Sequence, residues 1–247
     1  KWVAARPDEL TRAFRRYFPE EPRVIRAPGR VNLIGEHTDY NGGLVLPIAI
    51  DRSVFVAFGV RDDDDVIVHS LNLDATTNFS LSDIWPDPQQ PWSNYVRGVA
   101  LKLRACGLAL RGLNAVVCGD VPIGAGLSSS AALEVSMALA FLSAASLELD
   151  RVELAKLCQR AEVEFVGVRC GIMDQLVSAL ARRDHALLID CRDLSHQFVP
   201  FSTLEVKVVV TDSMIRRELA SSRYNERRRE CEEALAYFHR KVSLQSL

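Results

Sequence analysis

The chain has 247 residues, enough for one large domain or two small ones, of which 48% are apolar and 25% charged. This composition is typical of a globular protein and excludes a disordered or collagen-like chain. The net charge of −2 gives no general attraction to nucleic acid or to an anionic membrane, and no apolar run approaches the length of a membrane-spanning helix.

The cysteines and the termini bear on cellular location and completeness. Six cysteines are spread along the chain without a Cys-x-x-Cys pair, a pattern typical of reduced, mostly buried thiols in a cytoplasmic protein. The first residues contain no apolar segment of the kind that forms a secretion signal. The chain begins without Met and stops at Leu247 just after a helical pattern, and we expect a fragment of a longer protein.

The first half of the chain combines one predicted helix with strands and loops. Apolar residues four positions apart predict a helix over residues 6–18. Residues 23–27 and 43–50 frame a loop rich in Gly, Asn and Asp. Residues 53–60 and 66–70 are predicted to be a strand pair. The run of aspartates at 62–65 between them is interpreted as a solvated turn, with a cation site as the less favoured alternative.

The second half mixes helices and strands without a fixed repeat. Helices are predicted at 92–106, 131–145, 172–180 and 223–240, and in a segment capped by Asp150 with Glu153 in capping-box position. Strands are predicted at 113–118, 185–191 and 206–211. Residues 131–145 are apolar nearly all round, which indicates a buried helix. The order of elements predicts an α+β or mixed α/β fold.

Residues 26–43 concentrate polar side chains among four glycines. The polar residues are Arg30, Asn32, Glu36, His37, Asp39, Tyr40 and Asn41. A polar surface loop is one interpretation of such a segment. A pocket for a sugar or another polyol is favoured, because each buried hydroxyl needs a hydrogen-bonding partner.

A second glycine-rich turn follows the strand at 113–118 and opens the buried helix. It contains Gly124, Gly126, Leu127, Ser128, Ser129 and Ser130. Backbone N–H groups at a helix N-terminus form an anion site, and one of the hydroxyls could bind Mg²⁺. The turn is not a Walker loop, because it lacks the required Lys. One serine would suffice as an N-cap, so phosphate binding is favoured.

Two acidic residues are ambiguous from their neighbours alone. Asp174 lies beside Met173 and close to other apolar residues, and is either a helix cap or a partly desolvated functional carboxylate. Glu162 lies at the border of the apolar stripe of its helix. It is either a ligand of a buried cation or a half-exposed side chain.

Together these segments resemble the GHMP family of small-molecule kinases, and within it the galactokinases. Residues 29–43 look like the galactokinase signature, residues 124–132 are similar to the phosphate-binding second motif of the family, and residues 219–233 are also galactokinase-like. The resemblance implies an α+β fold. The first domain implied is a ribosomal-protein-S5-like GHMP N-terminal domain, a mixed sheet with helices, over residues 1–190, with the signature at 23–50 and the phosphate loop at 119–132. Residues 191–247 would be the incomplete start of a second α+β domain.

The resemblance also implies a reaction and roles for individual residues. The reaction transfers the γ-phosphate of ATP, bound with Mg²⁺, to the C1 hydroxyl of α-D-galactose. The implied roles are catalysis by Asp174 and Arg30; galactose binding by Glu36, His37, Asp39, Gly171 and Tyr224; ATP binding by Gly124, Gly126, Leu127, Ser128, Ser129, Ser130 and Trp92; and Mg²⁺ binding by Ser130 and Glu162.

The third motif of the family is absent from the chain, so its activity in isolation is left open. We expect a monomer, or weak self-association through an exposed apolar face. The alternatives are an N-acetylgalactosamine kinase and a non-catalytic sensor that binds galactose and ATP. The intact second motif favours the enzyme over the sensor.

Overall fold

The computed structural model describes residues 7–202, 206–212 and 221–240, the last without the side chains of 221–224 and 239. The helices are α1 (Pro7–Tyr17), α2 (Ser93–Ala105), α3 (Ser129–Ala145), α4 (Arg151–Ala161), α5 (Met173–Leu180) and α6 (Ser221–His239). The strands are β1 (Arg23–Asn32), β2 (Leu44–Val45), β3 (Pro47–Val60), β4 (Asp65–Ser70), β5 (Ala75–Ser80), β6 (Leu113–Gly119), β7 (His185–Asp190) and β8 (His196–Pro200).

The strands form two sheets. The larger is five-stranded in the order β1-β3-β6-β4-β5, and the smaller is three-stranded in the order β2-β7-β8. The pairing of β4 with β6 is parallel, while the other pairs within the larger sheet are antiparallel. The larger sheet is therefore mixed, and the prediction of an α+β fold is confirmed. The β7–β8 hairpin spans residue 190, and the domain division there stays a prediction.

The predicted pairing of residues 53–60 with 66–70 is wrong. Strand β6 lies between β3 and β4, and Leu113 of β6 is the register partner of both Val60 and Val66. The turn between β3 and β4 therefore passes around the start of β6. Within it Arg61 binds both carboxylate oxygens of Asp63, at 2.7 and 2.6 Å, which agrees with the solvated-turn interpretation of the acidic run.

Three further differences concern strands. The predicted strand at 206–211 is wrong, because residues 206–212 form no strand and Val206, Val208, Val209 and Val210 are exposed. Alternating valines satisfy the strand pattern, but a strand also needs a neighbour with which to exchange hydrogen bonds. Strands β5 and β8 were not predicted, since both are short and rich in polar residues; each pairs antiparallel with the strand just before it, β4 and β7 respectively.

Helix α3 lies in the core and is buried on nearly every side, as its composition predicts. It packs against β1, β3, α2 and α5. Helix α4 begins at the predicted cap, where Asp150 accepts hydrogen bonds from the backbone N–H groups of Val152 and Glu153 at 2.9 and 3.2 Å. The contacts of α3 with β1 and α5 bring the N-terminal end of α3 close to both elements, and the candidate site is built there.

Two observations concern the surface. The exposed large apolar side chains include Tyr237 and Phe238 of α6 as well as the valines at 206–210. Whether they mediate association stays a prediction. No helix within the described ranges is both long enough and apolar enough to cross a bilayer.

Candidate functional site

The site centres on an ion pair between β1 and α5. The guanidinium of Arg30 donates from Nε to Oδ1 of Asp174 at 2.7 Å and from Nη2 to Oδ2 at 2.8 Å. The side chains are 15% and 25% exposed, so the pair is largely shielded but accessible from one side. Such a bidentate pair fixes the plane of the carboxylate as well as its position. The structure thus brings together the two residues predicted to be catalytic.

Arg30 also connects the signature segment to the phosphate loop. Its Nη1 donates to the carbonyl oxygen of Gly126 at 2.7 Å, and its backbone N–H donates to that of Leu127 at 3.2 Å. The adjacent Gly29 permits this approach, because a Cβ there would lie 2.7 Å from the carbonyl oxygen of Leu127. The two glycine-rich segments therefore form one wall of a single site.

Ser128 does not cap α3 with its side chain. It has a left-handed backbone with φ of 60°, and its hydroxyl donates to Oδ2 of Asp174 at 2.5 Å. The alternative in which the serines only cap the helix does not describe this residue. The first N–H groups of α3 have no partner within the helix, as a phosphate site requires. Gly124 and Gly126, both with φ of 76°, shape the loop before it.

Asp39 and Gly171 lie against each other beside the ion pair. A Cβ at residue 171 would lie 1.8 Å from Oδ2 of Asp39, so a larger residue there would displace this carboxylate. Burial, then the nearby charge of Asp174, raises the pKa of Asp39 to about 6, while Arg30 acts in the opposite direction. The structure therefore places these two predicted sugar-binding residues beside the Arg30–Asp174 ion pair.

Glu36 and His37 lie on the exposed side of the same segment. Glu36 accepts a hydrogen bond from Nδ2 of Asn32 at 3.2 Å. His37 has φ of 61°, and its Nδ1 lies 2.5 Å from the hydroxyl of Tyr40. Both side chains are accessible, and their contact with sugar stays a prediction.

Glu162 begins a turn of π-helix that follows α4, a feature frequent at functional sites. It is only 5% exposed, so the half-exposed alternative is wrong. Burial, then the charge of Asp174, raises the pKa of Glu162 to about 7, and a hydrogen bond from Ser130 opposes that rise. A hydroxyl beside a shielded carboxylate is a hard-oxygen donor pair that fits Mg²⁺, which takes few protein ligands when it also binds phosphates.

Two buried polar residues next to Glu162 were not predicted. Glu134 and Gln175 are both 0% exposed. The side-chain amide nitrogen of Gln175 donates to Glu134 at 3.0 Å and to Glu162 at 2.7 Å. Burial, then the charge of Glu162, raises the pKa of Glu134 well above its ordinary value. The sequence feature that could have pointed to this cluster is Glu134, the single acidic residue in the largely apolar segment 131–145.

Helix α6 packs onto the loop that carries Gly171. Nη1 of Arg228 donates to the carbonyl oxygen of Arg169 at 2.7 Å, and Oδ1 of Asn225 accepts from the backbone N–H of Arg169 at 3.0 Å. The side chain of Tyr224 lies outside the described residues, so its predicted sugar contact cannot be placed. Trp92 is half-buried against the main core, and its position relative to a nucleotide stays a prediction.

Two family models match the chain over the segments that build this site. One is described as the galactokinase galactose-binding signature and matches residues 12–60, and the other as the GHMP kinase N-terminal domain and matches residues 94–182. A galactokinase of Chloroflexus aggregans is 54% identical over 90% of this chain and 57% of its own length. The chain belongs to the galactokinase family of GHMP kinases.

Solved structures agree with this assignment. The galactokinase-family chain matches a crystal structure of Lactococcus lactis galactokinase complexed with galactose, with a TM-score of 0.88, 33% identity and coverage of 97% of this chain and 63% of that one. A mevalonate kinase of Methanococcus jannaschii matches with a TM-score of 0.62, 19% identity and coverage of 90% and 74%, and shares the fold alone. The chain spans 57–58% of the length of the curated relatives it matches.

Proposed function

We propose that the protein transfers the γ-phosphate of ATP to the C1 hydroxyl of α-D-galactose and forms galactose 1-phosphate and ADP. The observation that carries the proposal is the joining of Arg30, Asp174 and the phosphate loop in one site. The match of residues 12–60 to a galactose-binding signature supports galactose as the acceptor. We also propose a cytoplasmic location, from the reduced cysteines.

In this proposal the sugar is held beside Asp174 and the phosphates lie on the loop at 124–130. Asp39 accepts hydrogen bonds from sugar hydroxyls, together with the more exposed Glu36 and His37. Gly171 leaves room for the carboxylate of Asp39, since any larger residue would displace it. Such dense pairing of hydroxyls with acceptors gives a sugar site its specificity.

Asp174 orients the C1 hydroxyl and receives its proton as the oxygen bonds to the γ-phosphorus and the bond to ADP breaks. Arg30 keeps the carboxylate in place and stabilises the negative charge that develops at the reacting oxygens. Phosphoryl transfer asks a protein mainly for alignment and charge neutralisation, and a rigid bidentate pair supplies both. Ser130 and Glu162 would hold Mg²⁺, which neutralises charge on the phosphates when it is bound.

The test is to incubate the chain with ATP, Mg²⁺ and galactose, and to measure sugar 1-phosphate. N-acetylgalactosamine is assayed in parallel, because the described site does not separate the two sugars. Turnover with galactose and its loss in Asp174→Asn are the expected results. Turnover with N-acetylgalactosamine alone, or turnover that Asp174→Asn leaves intact, would contradict the proposal.

A further inference from the structure

The buried Glu134–Gln175–Glu162 cluster lies immediately behind the catalytic pair. Gln175 follows Asp174 on α5, so one turn of helix carries both the ion-paired carboxylate and the amide that contacts Glu162. The three side chains of the cluster come from α3, α5 and the π-helical turn after α4. Burial of polar atoms is costly unless they are paired. Within the described residues the amide nitrogen of Gln175 is paired with Oε2 of both glutamates, while Oε1 of Glu134 and Oε1 of Gln175 have no hydrogen-bond partner.

The amide nitrogen of Gln175 uses its hydrogens on two carboxylates. One bond goes to Oε2 of Glu134 at 3.0 Å and the other to Oε2 of Glu162 at 2.7 Å. A side-chain amide has two N–H donors on one nitrogen, so a single glutamine bridges the two acids. The bridge therefore fixes the orientation of the two carboxyl groups relative to each other.

The bridge fixes one particular oxygen of Glu162. The Sγ of Cys170 lies 3.4 Å from the same Oε2 atom and donates to it. Because both of these donors use Oε2, Oε1 of Glu162 is the oxygen left for a cation. Residues that orient a metal ligand in this way often matter nearly as much as the ligand itself.

We propose that Gln175 is a positioning residue for the metal ligand Glu162, with Glu134 as the buried acceptor that anchors its amide. The inference rests on the proposed function, since it assumes that Glu162 binds Mg²⁺ next to nucleotide. In this arrangement Glu134 accepts a hydrogen bond from Gln175 and does not bind the metal. The role of Glu134 therefore needs an oxygen acceptor and not a negative charge.

The experiment measures equilibrium binding of ADP with and without Mg²⁺ by calorimetry, together with thermal unfolding. Gln175→Met removes both donors at similar volume. We expect it to weaken Mg²⁺ binding to the nucleotide complex about 10- to 100-fold and to leave metal-free ADP binding unchanged. Gln197→Met is the control, because Gln197 is exposed on β8 in the smaller sheet, and it should leave Mg²⁺ binding unchanged.

Two variants of Glu134 separate anchoring from metal binding. Glu134→Gln keeps an acceptor for Gln175 and should retain Mg²⁺ affinity, whereas Glu134→Leu removes the anchor and should lose as much as Gln175→Met. A loss in Glu134→Gln as large as in Gln175→Met would make Glu134 a direct ligand and overturn the inference. If Gln175→Met does not fold, Gln175→Asn, which is too short to reach both carboxylates, is expected to show the same loss.

Other results are equally decisive. A folded Gln175→Met or Gln175→Asn variant with normal Mg²⁺ affinity would reduce the cluster to a purely structural role. Nucleotide binding by the unaltered chain that shows no Mg²⁺ dependence would also overturn the inference, since there would be no metal for Gln175 to position. If galactose is not phosphorylated but Gln175→Met still weakens Mg²⁺ binding, the proposed function fails and the inference stands.

Discussion

The hydroxyl of Ser128, at the start of α3, donates to Oδ2 of Asp174 on α5 at 2.5 Å and does not cap its own helix. Arg30 donates to the same Oδ2 and also to Oδ1 of Asp174. A hydrogen bond therefore links the phosphate loop directly to the predicted catalytic acid. A substitution at Ser128 is therefore expected to affect Asp174, and a substitution at Asp174 is expected to affect the loop.

Asp174→Asn should lower turnover at least a hundredfold while galactose still binds, because the amide keeps the shape of the side chain but cannot accept the C1 proton. Turnover is measured as sugar 1-phosphate and binding by calorimetry. Asp184→Asn, an exposed acid before β7, is the control and should keep normal turnover. An Asp174→Asn variant with near-normal turnover would remove Asp174 from the mechanism.

Ser128→Ala should lower kcat about tenfold, as expected for loss of a hydrogen bond to a charged group. Ser128→Gly loses the same hydroxyl but suits the left-handed backbone better, since φ is 60°. We therefore expect both variants to lose a similar share of kcat, with the glycine variant the more stable in thermal unfolding. Normal kcat in both variants would show that the contact with Asp174 has no part in turnover.

Gly171→Ala should abolish galactose binding, because its Cβ would overlap the carboxylate of Asp39 at 1.8 Å. Gly167→Ala is the matched control in the same loop. It has φ of 90° and nothing within 4 Å of an added Cβ, so it incurs backbone strain without a clash. The comparison is made by calorimetry with galactose. Equal losses in the two variants would assign the effect to the backbone and not to Asp39.

Asp39→Asn should stabilise the folded protein at pH 8 but not at pH 4. The folded pKa of about 6 lies above the ordinary value of 3.8, so the native state binds more protons than the unfolded state between these values. Stability is therefore lost as the pH rises through that window. We expect a gain of at most about 3 kcal/mol at pH 8, measured by chemical denaturation, with the exposed Asp51→Asn as control.

The same substitution should weaken galactose binding, since an amide accepts fewer hydrogen bonds than a carboxylate. In the unaltered protein, galactose affinity should fall as the pH drops below 6, when Asp39 becomes protonated. Stabilisation of Asp39→Asn by the same amount at pH 4 and pH 8 would contradict this assignment of the titrating group.

The local pattern of the sequence predicted most helices and the two glycine-rich segments, because apolar periodicity, caps and turn residues act over a few positions. The helix at 131–145 and the cap at Asp150 are examples, and both are confirmed. The resemblance to a kinase family rested on the same short motifs. By contrast, residues 206–211 satisfy a strand pattern and form none, since a strand exists only with a hydrogen-bonding neighbour.

Tertiary structure alone decided which distant segments meet. It inserted β6 between β3 and β4, turned Ser128 towards Asp174, and joined Glu134 to Glu162 through Gln175. The side-chain contacts among these join residues that are 13, 41 and 46 positions apart in the sequence. Such contacts depend on packing and on the pairing of buried polar groups, which no local pattern encodes. The acidic residue in the apolar helix α3 is an example, because its partner comes from a different part of the chain.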